Sequence, residues 1–591
     1  VRLIVAIVLL GVSTLSLAFG VAGSTVFREP ETIERSIVID HTAPAVVIHG
    51  TSLQAFPGRP TITVEGLSAG LVAQAGGGQE FRETDRVFVA YARTVDVLAW
   101  VSPARHTQVR VASSGDSLLT LPRAGSDISL PDPRGSDLWF QEFSGQGSVT
   151  LSAAIPADVS VLIMSDGQLA APTSLTVSWP MVNESVWSVV LIVVGIGTLA
   201  VGLSFVILSF VHWRRTRGPR RKRTKRPQRP RKIYRNKPRS SVKPRGRRAH
   251  RFVVIPLVGA LGLAGCQSTA GSEATNGSNP ATPGVVTQAP YPAVTELQFS
   301  RILTKVSETI QAGDDELSVN TLGVRVMEPI LQARRAAYIV RRVDAESGVL
   351  TPIPSSPVRL VLPQQTTGWP RSVFGIIQDE QDEQSPSLAV VLRQESPREN
   401  YRLSYAVVLA PQVKLPDLPS ASVGSAKLSR DSKLTLISPA ETLQRYADVI
   451  NVGQDSEFAG SFALATDRLF GLVGPSAQAL RQESFGDSVE VTWNSVPTDA
   501  EIVAFATADG GALVLGTLQE TETVRPIQSG ATVNASVSVR ALTSLSQSSR
   551  GFDVLSTIQI LWYVPPVGSE DGIQVLGYTY SLVGAREIDG E

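Results

Sequence analysis

Residues 187–215 read WSVVLIVVGIGTLAVGLSFVILSFVHWRR, and this stretch decides how the rest of the chain is organised. Ser188–Val211 holds 24 residues without Asp, Glu, Lys, Arg or His. As a helix it measures about 36 Å, enough to cross a bilayer with some tilt. Trp187 and Trp213 bracket it, where interfacial indoles are favoured. The basic residues follow at once. Between Arg214 and Arg251 there are 20 Lys/Arg and no acidic residue in 38 positions, among them Arg214, Arg215, Arg220, Arg221, Lys222, Arg223, Lys225 and Arg226. A Lys or Arg at the centre of a membrane helix costs about 2.5–3.5 kcal/mol, so this belt stays on the cytoplasmic side. The reading is a transmembrane helix at 187–213 and a basic, disordered cytoplasmic loop at 214–251 that rests on anionic lipid headgroups. Nucleic acid is not favoured, because Tyr234 is the only aromatic residue in the belt.

The whole chain has 591 residues and a formal charge of +1. Outside the belt 34 basic residues face 53 acidic ones, so the apparent neutrality is a mildly acidic protein with one intensely basic segment. Leu3–Phe27 is uncharged and long enough for a transmembrane or signal anchor over residues 1–27; a cleavable signal peptide is the competing reading. With both segments spanning, residues 28–186 lie outside.

A third apolar run, 252–265, is too short for an easy span but has the length of a signal-peptide core behind a positive region. It ends in Leu263, Ala264, Gly265 and Cys266, which resembles a bacterial lipobox. In that class of signal the Cys thiol receives a diacylglyceryl group and a peptidase cuts before it. The resemblance implies lipidation of Cys266, the only cysteine in the chain. Residues 266–292 are rich in Ser, Thr, Gly, Pro and Asn, as a flexible tether would be. The C-terminal part would then stand outside as a lipoprotein, on a two-span or multi-pass cell-membrane protein.

Residues 28–186 show short alternating runs, among them Ser36–Ile39, Val87–Tyr91, Val95–Trp100, Thr107–Val111, Ser148–Leu151 and Val159–Ile163, which predict an exported all-β sandwich. From residue 293 the pattern changes. Phe299, Ile302, Leu303, Val306 and Ile310 form an amphipathic helical stripe, a second helix is expected at Met327–Val340, and four strand-like runs follow to Leu409. Ser438-Pro439-Ala440-Glu441 is a capping box that starts a new helix through Leu443, Tyr446, Ala447 and Ile450. Strands recur at Val489–Trp493, Ile502–Phe505, Ala512–Leu515, Val533–Val539, Thr557–Val564 and Ile573–Leu582. Helices followed by strands, twice over, predict a duplicated α+β domain with halves 293–437 and 438–591. The element order resembles the cystatin-like cone of the nuclear-transport-factor-like superfamily.

Signatures of chemistry are sparse. The chain has no phosphate-binding Gly-x-x-x-x-Gly-Lys-[Ser/Thr], no His-Glu-x-x-His and no Asp-x-Asp. Its five histidines are His41, His49, His106, His212 and His250, so a histidine triad or His-ligated metal confined to the C-terminal part is excluded. His41, His49 and His106 lack acidic partners in sequence and read as ordinary strand or surface residues. The acidic run Asp379–Glu383 reads as a solvated turn. No catalytic residue, metal site or cofactor is called for.

With Ser165-Asp166-Gly167 and Ser178-Trp179-Pro180 near the end of its β-rich region, the chain resembles an uncharacterised family of actinobacterial envelope membrane proteins. Members carry an anchor, an exported β domain, a second span and a C-terminal lipoprotein-like domain, and some are labelled glycosyltransferase. The expectation is a bacterial cell-envelope membrane protein with exported domains that bind an envelope ligand or protein, with no catalysis evident. The alternative is an envelope hydrolase or transferase acting on a glycan or peptide through carboxylates. A third reading leaves the C-terminal region in the cytoplasm.

Overall fold

The computed structural model describes residues 2–25, 32–39, 43–73, 79–181, 186–216, 291–348, 350–378 and 386–590. Two units emerge: a helical hairpin, and a larger unit that contains both Pro30–Asn183 and Gln288–Glu591. The protein is therefore multi-domain, with β-rich domains and two apolar helices each long enough to cross a membrane.

In the hairpin, α1 (Arg2–Thr25) packs against the helix Val186–Thr216. Glycines set the approach. A Cβ at Gly20 would lie 2.7 Å from Ile192 Cγ1, and one at Gly195 would lie 2.8 Å from Leu17 Cγ. Small residues at crossings are how apolar helices come close when lipid offers no hydrophobic drive. Trp187 and Trp213 sit at opposite ends of the second helix, both exposed, with Arg214 and Arg215 in its last turn.

Residues 32–181 form two packed sheets. One is four-stranded, in the order Thr32–Val38, Ser174–Pro180, Thr61–Glu65, Ser148–Ser152. The other is six-stranded, in the order Leu118–Arg123, His106–Val111, Ala45–His49, Val159–Met164, Arg86–Arg93, Gln141–Gln146. Between them lie Val46, Ile48, Ile62, Val64, Val89, Val161, Ile163, Leu175, Val177 and Trp179. Two features depart from a plain all-β sandwich. The strands Ala45–His49 and His106–Val111 run parallel. Val95–Trp100, read from sequence as a strand, belongs to the helix α2 (Thr94–Val101). Its alternation is real, but Val97, Trp100 and Val101 also share a helical face, and that face buries against the outer side of the six-stranded sheet with Phe88, Leu162 and Met164.

Residues 291–590 hold helices outside and sheets inside. In the first half, α4 (Glu296–Glu316) and α5 (Ile330–Val343) cover the strands Val358–Pro363, Arg371–Ile377, Leu388–Gln394 and Arg402–Leu409, with α3 reserved for the hairpin helix Val186–Thr216. The predicted stripe of Phe299, Ile302, Leu303, Val306 and Ile310 is buried against Val373, Val390, Leu392 and Leu403. In the second half, α6 (Pro439–Val452) begins at the expected capping box: Glu441 N–H donates to Ser438 Oγ, and Ser438 N–H to Glu441 Oε2. Leu443, Tyr446, Ala447 and Ile450 pack on the long strands Ala512–Pro526 and Phe552–Val564. Beyond α6, α7 (Pro475–Phe485) also lies on this half. Val533–Val539, read as a strand, splits into a two-residue strand Val533–Asn534 and a helix α8 (Val537–Thr543), because Ser536 caps the N–H of Val539 and starts a helical turn.

The inner faces of the two halves meet in a shared core of Leu362, Phe374, Val391, Val407, Phe505, Leu513, Leu515 and Leu561. Strand pairing joins them into one sheet at Val408↔Tyr578 and Leu409↔Gly577, continued by the Ala410 N–H to Leu576 O. A Cβ on Gly577 would lie 2.4 Å from Val408 O, so this junction requires glycine. Gly577→Val is expected to cost about 1–3 kcal/mol through overpacking, read as a lowered thermal midpoint of the detergent-solubilised chain.

Candidate functional site

Two places concentrate buried polar chemistry. The first lies where residues 32–181 meet residues 291–590. Asp137, whose side chain has no exposure, accepts from Arg325 at 2.5 and 3.3 Å and from the Tyr401 N–H at 2.9 Å, with Lys305 Nζ at 3.7 Å. Asn400 Oδ1 accepts from the Asp137 N–H. On the other side of the contact, Arg371, fully buried, donates to Asp96 of α2 at 2.6 Å and stacks 3.7 Å over the Trp369 ring, which packs into the core around α2. Arg301 donates to the carbonyls of Trp139 and Phe140, Arg398 to those of Trp100 and Ser102, and Gln298 to those of Asp137 and Leu138. Tyr401, buried beside these ions, has its phenol pushed up by burial.

The second place is a cavity of about 180 Å³ under α7, lined by Leu472, Val473, Ala477, Gln478, Arg481, Trp493, Glu520 and Tyr580. Local sequence explains its frame. Gln482 bonds both ways to the edge strand Val489–Pro497, at Val489 O and the Val491 N–H, and Asn451 of α6 does the same at Ser495. These amides occupy backbone groups that an edge strand otherwise leaves open and fix both helices over the sheet. On the strand Ala512–Pro526 the residues facing α6 are Ala512, Val514 and Leu518, and the same face continues as Glu520 and Glu522. Glu522 is committed: Arg481 lies 2.6 Å from Oε2, and the Trp493 indole N–H reaches the same oxygen at 3.3 Å. Glu520 is 3% exposed. Its Oε1 accepts from the Tyr580 hydroxyl at 2.6 Å, while its Oε2 has no partner. Burial raises the Glu520 pKa above the usual carboxylate range, and the nearby Glu522 charge adds to this.

Of the residues singled out in sequence, Trp187, Trp213, Arg214 and Arg215 lie on α3, in the hairpin unit. Leu263, Ala264, Gly265, Cys266 and the basic residues Arg220, Arg221, Lys222, Arg223, Lys225 and Arg226 lie outside the described residues, as do His41 and Asp379–Glu383. His49 and His106 stand on neighbouring strands, each with its pKa lowered by burial, and Arg110 and Arg123 crowd them with positive charge. Among the described residues no group of three or more His, Cys, Asp or Glu could hold a metal ion. Trp179 of the quoted Ser-Trp-Pro is a core residue whose indole N–H donates to Leu53 O, and Asp166 caps the turn at Gln168 and Leu169. None of Asp137, Arg325, Glu520 or Tyr580 was singled out. The usable signal for Glu520 was its register, two residues on from Leu518 on an apolar face.

Two sheet leaves with helices on their outer sides, and a carboxylate-lined cavity under one helix, make up an α+β domain. Residues 290–587 match the family described as Domain of unknown function (DUF8094), and the chain belongs to that family. No curated protein and no solved structure matches it.

Asp137→Ala strands Arg325 in the interface and is expected to cost about 3–5 kcal/mol, seen as a lowered urea midpoint. Glu520 predicts a pH effect of definite sign. Its folded pKa is raised, so the folded state holds its proton to higher pH than the unfolded state, and stability falls as pH rises from about 4.3 through the raised value. Glu520→Gln should remove this dependence between pH 4 and 8 in thermal midpoints.

Proposed function

We propose that the protein is a cell-envelope membrane protein whose two folded regions stand outside on a helical hairpin, with the C-terminal region anchored as a lipoprotein at Cys266 and binding a small envelope ligand. The hairpin supports the membrane part of this reading: both helices are long and apolar, and the second runs directly into the basic belt. Helices followed by an antiparallel sheet in each half are in keeping with a cystatin-like, nuclear-transport-factor-like cone, a form whose concavity encloses ligands.

The observation that carries binding is Glu520. A carboxylate oxygen in a closed wall with no donor costs free energy unless something supplies one, and a 180 Å³ cavity beside it leaves room for a small group that can. Two carboxylates against one guanidinium select a cationic or strongly donating group. The same acidic pair is what a glycan-cleaving enzyme would use, but Glu522 is already tied to Arg481 and Trp493, which favours binding over catalysis.

Trp493 lies on the cavity wall, so occupancy should change its fluorescence. Titration of the solubilised chain with n-butylammonium or N-acetylglucosamine is expected to give a saturable change that Trp493→Phe abolishes and Glu520→Gln weakens at least tenfold. No response to either probe up to about 10 mM would sink the binding reading. Palmitate labelling of wild type and Cys266→Ala tests the anchor: label on the wild type alone supports it, and label on neither refutes it.

A further inference from the structure

The contact between residues 32–181 and 291–590 carries a consequence for topology and assembly. The two regions are separated in the chain by α3 and the basic belt, yet they share buried ion pairs at Asp137–Arg325 and Asp96–Arg371. Such charges are tolerable only when both partners are present, because a buried ion left alone costs several kcal/mol. Apart from the Asp137 N–H, which donates to Asn400 Oδ1, further polar contacts run the other way. Arg301, Arg398 and Gln298 of the C-terminal region all donate to main-chain carbonyls of the first region, and Trp369 reaches into its core. Arg suits this role, since its planar fork can serve two acceptors at once.

We infer that this interface holds two separate polypeptides together on one face of the membrane: an N-terminal chain ending at Gly265 and a lipoprotein chain beginning at Cys266. The inference rests on the reading of α3 as a span and of Cys266 as a processed lipid acceptor. Its logic is parity. With α3 crossing the bilayer, Arg214 stands on the face opposite residues 32–181, whereas residues 291–590 are docked on residues 32–181. The chain must cross an odd number of times between residues 217 and 290, and the apolar run in that stretch is Phe252–Gly265. A C-terminal region left in the cytoplasm is incompatible with the docked contact. Cleavage before Cys266 removes the only covalent link, and the buried polar interface takes over its role, so the first region is the specific partner of the lipoprotein.

The test uses the full chain with a tag at each end and a protease site inserted between Gly284 and Val285, purified from membranes in mild detergent and cut. The two fragments are expected to co-elute in gel filtration. Arg301→Ala with Arg398→Ala should weaken the complex at least tenfold; both side chains bridge only to carbonyls across the contact, so each region keeps its own core. Wild-type fragments that separate after cutting overturn the inference. Exposed positions Ser113 and Ser429, changed singly to Cys in the Cys266→Ala background, give the second arm. Labelling of both by an impermeant maleimide from outside intact cells is expected, and labelling of position 113 alone overturns the shared face. Absence of palmitate on the wild type, with fragments that still co-elute and both positions labelled, sinks the lipoprotein reading and the two-chain form while leaving the docked, same-face arrangement. Palmitate on Cys266 with fragments that separate sinks the docking itself.

Discussion

The structure turns on a carboxylate without solvent, that of Asp137. It lies in the long connection between the strands Leu118–Arg123 and Gln141–Gln146, which has almost no regular structure of its own and is fixed by side-chain contacts. Trp139 anchors it inward through its indole N–H to Pro133 O, while Arg325, Lys305 and the Tyr401 N–H fix Asp137 from the opposite region. With this segment in place, α2 and the segment together roof the outer face of the six-stranded sheet over Phe88, Leu162 and Met164. That face would otherwise be a large apolar patch, the kind of surface that invites association. The C-terminal region completes the roof with Trp369. Docking and the packing of the first region are therefore one problem, solved by one set of ions.

The same ions explain a feature of composition. The basic residues outside the belt are not merely surface counter-charges. Arg325 and Arg371 are spent in the interface, and Arg334 within the C-terminal region bonds Asp314 and Thr351 O. Arg can be buried in this way because it stays charged and brings several directed donors. Each of these three takes a carboxylate inward with it, Asp137, Asp96 and Asp314, so burial leaves the acidic balance of the folded regions in place while the positive charge is concentrated in the belt that follows α3.

What could be read from sequence was what local periodicity encodes. The helical stripe of α4, the capping box of α6 and the two apolar helices are patterns within one element, and each is present where the residues place it. Val95–Trp100 failed because six residues with alternating Val, Val and Ala suit a strand or a short helix equally, and only the sheet beneath chooses. Val533–Val539 failed because a single Ser cap outweighed β-branched residues. The interface was illegible for a different reason: Asp137 and Arg325 are 188 residues apart, and no local rule pairs them.

The cavity follows from a mismatch of lengths. The strand Ala512–Pro526 has 15 residues, about 50 Å when extended, whereas α6 has 14 residues and covers about 21 Å. Under α6 the strand presents Val514 and Leu518 to Leu443 and Tyr446, and the core is apolar. Beyond its end the sheet still needs a cover, and α7 supplies one that is thin and polar, with Ala477, Gln478 and Arg481 toward the strand. An apolar side chain at position 520 would have little to pack on there. Glu520 in that position gives up solvation for a single phenolic hydrogen bond from Tyr580 and leaves one oxygen facing no donor. In the first half the strands are 6–8 residues long and α4, at 21 residues, outruns them, so Phe299 lies against Gly375 with no space left over; a cavity of about 270 Å³ lies instead beside α5, lined by Arg334, Ala337 and Ala406. A strand that outruns its covering helix is thus sufficient to make the cavity beside Glu520 under α7.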